Sequence, residues 1–321
     1  MNKIIAETVF SDQQQEELRT EVRRIMEAEG LSQAAASKDA NVAYATFSAW
    51  LGAKYTGDNN RVAAEVKRWL GAISERKRTV ATIVTSPGFQ MTPTAAEFIS
   101  AFQYAQIAVD FTVIVGGPGV GKTSALKQYL ATTPNVWMVT MEPTTAKPSA
   151  MLQEICAVMD ITEKSATKLS RAIGKYVAGK NGLLAIDEGQ HLTSEALEQL
   201  RSIHDRYQVG IVICGNETII SRLEGQKATF AQLYSRVGVR IKRPKPRQGD
   251  ICALIQAWGI TDDEEIRLLK VIAKKPGALR SLDKCLRLAS TLAGGGGEPR
   301  SPKHIKAAWE RLAPESLSDA A

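Results

Sequence analysis

Residues 116–123 read GGPGVGKT, after the apolar run FTVIV (111–115) and before SALKQYL (124–130). The stretch fits the pattern G-x-x-x-x-G-K-[ST], with Gly116, Gly121, Lys122 and Thr123 at the defining places. Glycines let successive backbone N–H groups turn inward around phosphate oxygens, and a helix starting here adds the positive end of its dipole. Lys122 then reaches the β- and γ-phosphates, and the Thr123 hydroxyl is a ligand for Mg²⁺. Gly117, Pro118, Gly119, Val120 and Ser124 complete the expected ATP-binding segment. A glycine-rich turn can match the pattern by chance, but an apolar strand before and a helix after are the context it requires.

Such a loop needs an acid at the end of another strand, and GLLAIDEGQH (182–191) supplies one. Asp187 ends the apolar run and is placed to hold the Mg²⁺ shell. Glu188 is placed to orient or deprotonate the attacking water. An Asp-Glu pair alone is a common helix cap; after four apolar residues and beside a phosphate loop it is a catalytic candidate. GIVICGN (210–216) ends in Asn216, whose side chain suits the attacking water or the γ-phosphate, though Asn after Gly is also a routine turn residue. Arg236 in FAQLYSRVG and Arg280 in PGALRSLDKCLRLA complete the set. The first suits a neighbouring subunit's γ-phosphate and the second the same nucleotide, although most arginines are simply solvated.

The order of elements predicts an α/β fold. FTVIV, NVWMVTM, GLLAID and GIVICG each precede a helical pattern, which is the signature of a parallel sheet with crossover helices. Residues 1–75 read as a helical domain: LRTEVRRIMEAE places Leu18, Val22, Ile25 and Met26 on one face, and helices follow at 33–39, 44–51 and up to Leu70. ERKRTVATIVTSPGFQMTP places a linker at 76–95. The nucleotide-binding core is expected over 96–243 and a small helical domain over 244–321.

The 321 residues carry 41 Lys and Arg against 34 Asp and Glu, and this net charge of +7 points mildly to an anionic partner. Cys156, Cys214, Cys252 and Cys285 form no metal-binding spacing with the three histidines, and read as reduced, mostly buried thiols. No apolar run has the length of a membrane span and the N-terminus lacks a signal-peptide pattern, so a cytoplasmic protein without membrane contact is expected.

GGPGVGKT, LLAIDE, Asn216, SRVG and PGALR occur in the order used by AAA+ ATPases, which the chain resembles. KYTGDNNRV, RWL, NVWMVT, the LLAIDEGQH run and KPGALRSL…LRLA narrow this to the Mu B-like family of phage transposition target-capture ATPases, from about Leu31 to about Arg311. The resemblance implies an ATP-dependent protein that forms helical filaments or rings on duplex DNA, presents that DNA to a DDE transposase, stimulates it, and is discharged on hydrolysis. It implies a Walker B role for Asp187 and Glu188, sensor roles for Asn216 and Arg280, and an arginine finger at Arg236. Gln232 stands where related initiator ATPases often carry another arginine.

For DNA contact, the first domain reads as a helix-turn-helix with 44–51 as recognition helix and Thr46 and Ser48 as polar contacts, or as a bundle for protein contacts. Lys38, Lys54 and Arg61 are further phosphate candidates. In the core, Lys147, Lys164, Lys168, Arg171 and Lys175 are the candidates, the last four at steps of three and four that would make one helix face basic. Solvated helix faces show the same spacing. The run Arg240, Lys242, Arg243, Lys245 and Arg247 suits DNA, a hinge or the transposase. Three other readings stay open. They are a translocating motor such as a helicase or loader, a secretion-associated ATPase, and a DNA-binding repressor with a degenerate nucleotide site, which the filled catalytic positions disfavour.

Overall fold

The computed structural model describes residues 9–82, 84–219 and 236–313, in two compact units, Met1–Ile83 and Val84–Ala321. Each follows from its own pattern of burial.

The first unit holds helices α1 (Asp12–Glu29), α2 (Gln33–Asp39), α3 (Tyr44–Leu51) and α4 (Asn59–Thr82). Ser11 and Gln14 cap α1 reciprocally, which satisfies N–H groups that the first helical turn leaves free. Val22, Ile25, Ala36, Phe47, Trp50, Val62 and Val66 form the core. Arg19 and Arg23 of α1 donate to the carbonyl oxygens of Trp50 (2.8 Å) and Leu51 (2.7 Å), so the C-terminus of α3 is held by two guanidinium groups.

The linker expected at 76–95 is helical at both ends. Helix α4 runs on to Thr82 because 72–82 contains neither Gly nor Pro and is rich in helix formers. Helix α5 (Pro93–Ile107) begins with Thr92 as N-cap and proline at its first position. Among the described residues between these helices, 84–92 have no regular secondary structure.

The second unit is a five-stranded parallel sheet in the order β2-β3-β4-β1-β5. Strands β1 (Phe111–Gly116), β2 (Val136–Thr140), β3 (Leu183–Asp187) and β4 (Gly210–Gly215) are the four apolar runs. β1, β3 and β4 are buried throughout, as a sheet covered on both faces requires. Helices α5 and α6 (Lys122–Thr132) cover one face, and α7 (Pro148–Val158), α8 (Leu169–Val177) and α9 (Ser194–Tyr207) cover the other. Strand β5 (Val237–Arg243) is an edge strand that the charge of its sequence concealed: Val237, Val239 and Ile241 face the core, while Gly238, Arg240 and Lys242 face out.

Helices α10 (Gln248–Ala257), α11 (Asp263–Ile272), α12 (Ala278–Gly295) and α13 (Pro302–Leu312) pack around Leu269, Leu282, Leu286, Ile305 and Trp309. They are pinned to the sheet layer by Asp250, which is fully buried and accepts from the Thr94 backbone N–H (2.8 Å) and hydroxyl (2.6 Å) at the start of α5. Cys156, Cys214 and Cys285 are buried and Cys252 is exposed, all four as free thiols. Among the described residues no group of His, Cys, Asp and Glu forms a metal cluster, and no helix is long and apolar enough to cross a membrane.

Candidate active site

The phosphate loop leaves the C-terminal end of β1 and enters α6, with Gly121 at φ 98° as the residue before the helix. Lys122 Nζ donates to the carbonyl oxygens of Gly116 (2.8 Å) and Gly117 (3.1 Å). Burial holds its ammonium below the ordinary lysine range. One residue on, the Thr123 hydroxyl donates to Asp187 Oδ2 at 2.7 Å. The parallel order of the sheet causes this meeting, because β1 and β3 both end on the side where the loop turns.

The loop opens on a cavity of about 830 Å³ lined by Gly116, Pro118 to Ser124, Glu188, Gln190, Asn216 and Arg280. Of the nine loop positions only Gly117 stays out of the lining; its N–H donates to the Arg243 carbonyl oxygen at 3.2 Å. The site thus gathers Glu188, Asn216 and Arg280, contributed by the ends of β3 and β4 and by the first turn of α12. Asp187 sits just beneath the lining, 1% exposed, and donates nothing: its carboxylate accepts from Thr123 and from the Glu188 N–H (3.0 Å). Glu188 itself adopts left-handed backbone geometry at φ 53°.

The other wall of the cavity was not read from the sequence. Ser86 to Gln90, Thr92 and Ala95 line it, together with Leu254, Leu279 and Asp283 from the C-terminal helices. Ser86 donates to Asp283 Oδ2 at 2.6 Å, which fastens the segment after residue 83 to α12. The available signal was the Pro-Gly-Phe sequence ahead of the Thr92 cap. The C-terminal helices also touch the loop backbone to backbone. Gly119 holds φ 80°, and a β-carbon there would overlap the carbonyl oxygen of Gly277. The cavity is large enough for a nucleotide. The glycine turns, the Lys122 ammonium and the Thr123–Asp187 pair fit a nucleoside triphosphate with its Mg²⁺.

Arg236 is not part of this cluster. It precedes β5, whose start pairs with Phe111 at the far end of β1, so it lies about 20 Å down the sheet from the loop. Its side chain is 57% exposed and pairs with Asp205 at 3.8 Å. Gln232 lies outside the described residues.

The basic candidates are not one surface. Lys164 and Lys168 precede α8, so only Arg171 and Lys175 share that helix, and the expected four-residue face is corrected to two. The cause is local: Glu163 caps the Ser165 N–H (2.8 Å) and Ser165 and Thr167 bond to each other, forming a turn ahead of the helix. Lys147 is at the opposite end of α7, about 16 Å away along the helix. All five are exposed. Of the run 240–247, Arg243 and Arg247 are engaged by Glu97 (2.7 and 2.9 Å) and Lys242 pairs with Glu217 (3.4 Å).

Comparisons with known proteins agree with this geometry. Residues 235–312 match the family described as Mu B transposition protein, C terminal, and residues 109–223 match the AAA domain. The chain is 34% identical over 300 residues to the ATP-dependent target DNA activator B of Escherichia phage Mu, covering 92% of this chain and 95% of that protein. It is 34% identical over 259 residues to the Mu-like prophage FluMu DNA transposition protein B of Haemophilus influenzae, covering 78% and 89%. In fold it is similar to the Aeropyrum pernix ORC2 protein (16% identity, TM-score 0.53, 70% of this chain and 69% of that one). It is also similar to the Drosophila ORC bound to DNA (13%, TM-score 0.53, 75% and 66%). Sheet order, phosphate loop and domain match together identify an AAA ATPase domain that uses ATP.

Proposed function

The chain belongs to the Mu B transposition protein family, and from that premise we propose that it is an ATP-dependent DNA-binding protein that assembles on target DNA and delivers it to a DDE transposase. The observation that carries the reading is the Lys122, Thr123 and Asp187 arrangement at the mouth of the cavity. Lys122 exchanges its two loop carbonyls for phosphate oxygens. Thr123 and Asp187 hold Mg²⁺, which when bound neutralises charge on the phosphates. Glu188 takes the proton of the attacking water, Asn216 orients that water, and Arg280 closes on the phosphates from α12.

Arg236 acts in trans in this reading. Its place at the opposite end of the sheet from its own loop suits a subunit-to-subunit contact, in which it stabilises charge on a neighbour's γ-phosphate. Assembly then lines up many weak phosphate contacts from Lys147, Lys164, Lys168, Arg171 and Lys175, and avidity supplies the affinity. Hydrolysis removes the γ-phosphate and loosens the junction, so ATP sets the lifetime of the assembly on DNA. The setting is the cytoplasm of a bacterial host.

The test is binding to random-sequence duplex DNA, followed by anisotropy with ATP, ADP or no nucleotide, for wild type and Lys122→Ala. Tight binding only with ATP, lost in the variant and steeply weakened by salt, supports the proposal. Binding indifferent to nucleotide sinks it.

A further inference from the structure

Gln190 stands in the short 3₁₀ turn Gly189–His191 that follows the acidic pair. Its amide group is used at both ends. Nε2 donates to Glu188 Oε2, and Oε1 accepts the backbone N–H of Asn216 at 3.2 Å. The reach is possible because residue 215 is glycine: a β-carbon there would overlap Gln190 Oε1. Asn216 is fixed from its other side as well, since its Oδ1 accepts from the Thr218 N–H (3.0 Å) and hydroxyl (2.5 Å). All three of Glu188, Gln190 and Asn216 line the cavity.

The geometry points to Gln190 as a positioning residue that ties the carboxylate of Glu188 to the backbone of Asn216, so that the water-activating group and the residue beside the γ-phosphate move as one. This deepens the ATPase reading given above and rests on it. The choice of residue follows from the two partners. One is a carboxylate and needs a donor; the other is an N–H and needs an acceptor. A primary amide offers both from one planar group. Glu188 has particular need of the tether, because a non-glycine residue in left-handed geometry persists only where its surroundings hold it. With Oε2 engaged by Gln190, Oε1 is the oxygen that receives the proton of the attacking water.

The consequence is a split between binding and turnover. Loop, Lys122 and Arg280 bind the phosphates without Gln190. Turnover depends on where Glu188 points, and through Gln190 that depends on where Asn216 sits. Displacing Asn216 on γ-phosphate contact therefore turns the carboxylate at the same moment, which keeps hydrolysis from running ahead of correct phosphate seating.

Two variants of the full chain test this: Gln190→Ala and Gln190→Glu. The measurements are ATP turnover on duplex DNA, affinity for ATP, and hydrogen exchange at the Asn216 amide. The alanine variant should lose tenfold or more in kcat, on the order of what a misplaced general base costs, with ATP affinity unchanged and faster exchange at Asn216. The glutamate variant keeps an acceptor for the Asn216 N–H but offers no donor to Glu188. It should restore slow exchange at Asn216 while kcat stays low. Recovery of both together, or loss of ATP affinity along with kcat, would mean that Gln190 only props up the turn and would overturn the inference. So would wild-type turnover in both variants. A wild-type protein that binds ATP and never hydrolyses it overturns the ATPase reading and this inference with it, and is told apart by the wild-type assay alone.

Discussion

Thr123 of α6 donates its hydroxyl hydrogen to Asp187 Oδ2 at the end of β3 across 2.7 Å, and this one bond marks where the phosphate loop and the acidic strand converge. Both oxygens are hard donors of the kind Mg²⁺ selects. Asp187→Ala should therefore abolish the gain in ATP affinity that Mg²⁺ confers on the wild type. Calorimetric titration of ATP with and without Mg²⁺ measures it. A variant that keeps the full Mg²⁺ effect would show that Asp187 does not serve the ion.

Burial lowers the proton affinity of Lys122 in the free protein, and a phosphate brought against it raises that affinity again. Between the lower free-state value and the higher bound-state value the complex holds more protons than the free protein. ATP binding should then take up protons at alkaline pH, and affinity should fall as pH rises through that window. Titration in two buffers of different ionisation heat reads the uptake, and Lys122→Met should remove it.

Asp250 accepts three hydrogen bonds while fully buried, two from Thr94 and one from the Arg247 N–H at 2.6 Å. Asp250→Ala leaves those donors without partners and should destabilise the second unit by on the order of 3 kcal/mol. Urea denaturation measures it. A midpoint equal to that of the wild type would mean that water replaces the carboxylate at no cost.

Arg236 pairs loosely with Asp205 and is more than half exposed, so Arg236→Ala should cost the folded monomer no more than about 1 kcal/mol. Turnover of the assembled protein should fall by about 10³. Mixing Arg236→Ala with Lys122→Ala subunits should recover part of the activity, because each supplies what the other lacks across a junction. A mixture as inactive as its components would place Arg236 outside the neighbour's site.

The core lysines predict a salt signature. Each phosphate contact removed from the set Lys147, Lys164, Lys168, Arg171 and Lys175 should reduce the slope of log affinity against log salt by about 0.9 per subunit engaged. Affinity should weaken to a similar degree on unrelated duplex sequences. An unchanged slope for Lys164→Ala and Arg171→Ala would direct the search to the first unit.

Strands β1 to β4 were legible because largely buried parallel strands are written as apolar runs, and the loop because its glycines and Lys122 serve a fixed geometry. The 33–39 and 44–51 helices were legible from the turn at Asn41-Val42 that separates them, where Asn41 holds φ 55°. Edge strand β5 was not, since half its side chains face solvent and carry charge. The run-on of α4 to Thr82 was not legible because a basic stretch followed by Pro-Gly has the composition of a linker. Lys164 and Lys168 kept helical spacing without a helix, since polar side chains ahead of α8 satisfy the backbone in another way. The distal wall of the cavity was invisible for a different reason: Ser86 and Asp283 are 197 residues apart and nothing local marks their meeting.

That wall has a consequence for the smallest piece of the chain that works. The pocket is assembled from 86–95, from the loop and strand ends, and from 254–283. A fragment cut to the sheet and its phosphate loop keeps the signature and loses half of the receptacle. In the whole chain a bound nucleotide would add a further fastening, beside the Asp250 and Asp283 hydrogen bonds, between the C-terminal helices and the part of the unit that precedes them. Energy released when the C-terminal helices settle is therefore shared with ligand binding, and the concentration of ATP acts as a thermostat on how firmly the chain's last quarter is held.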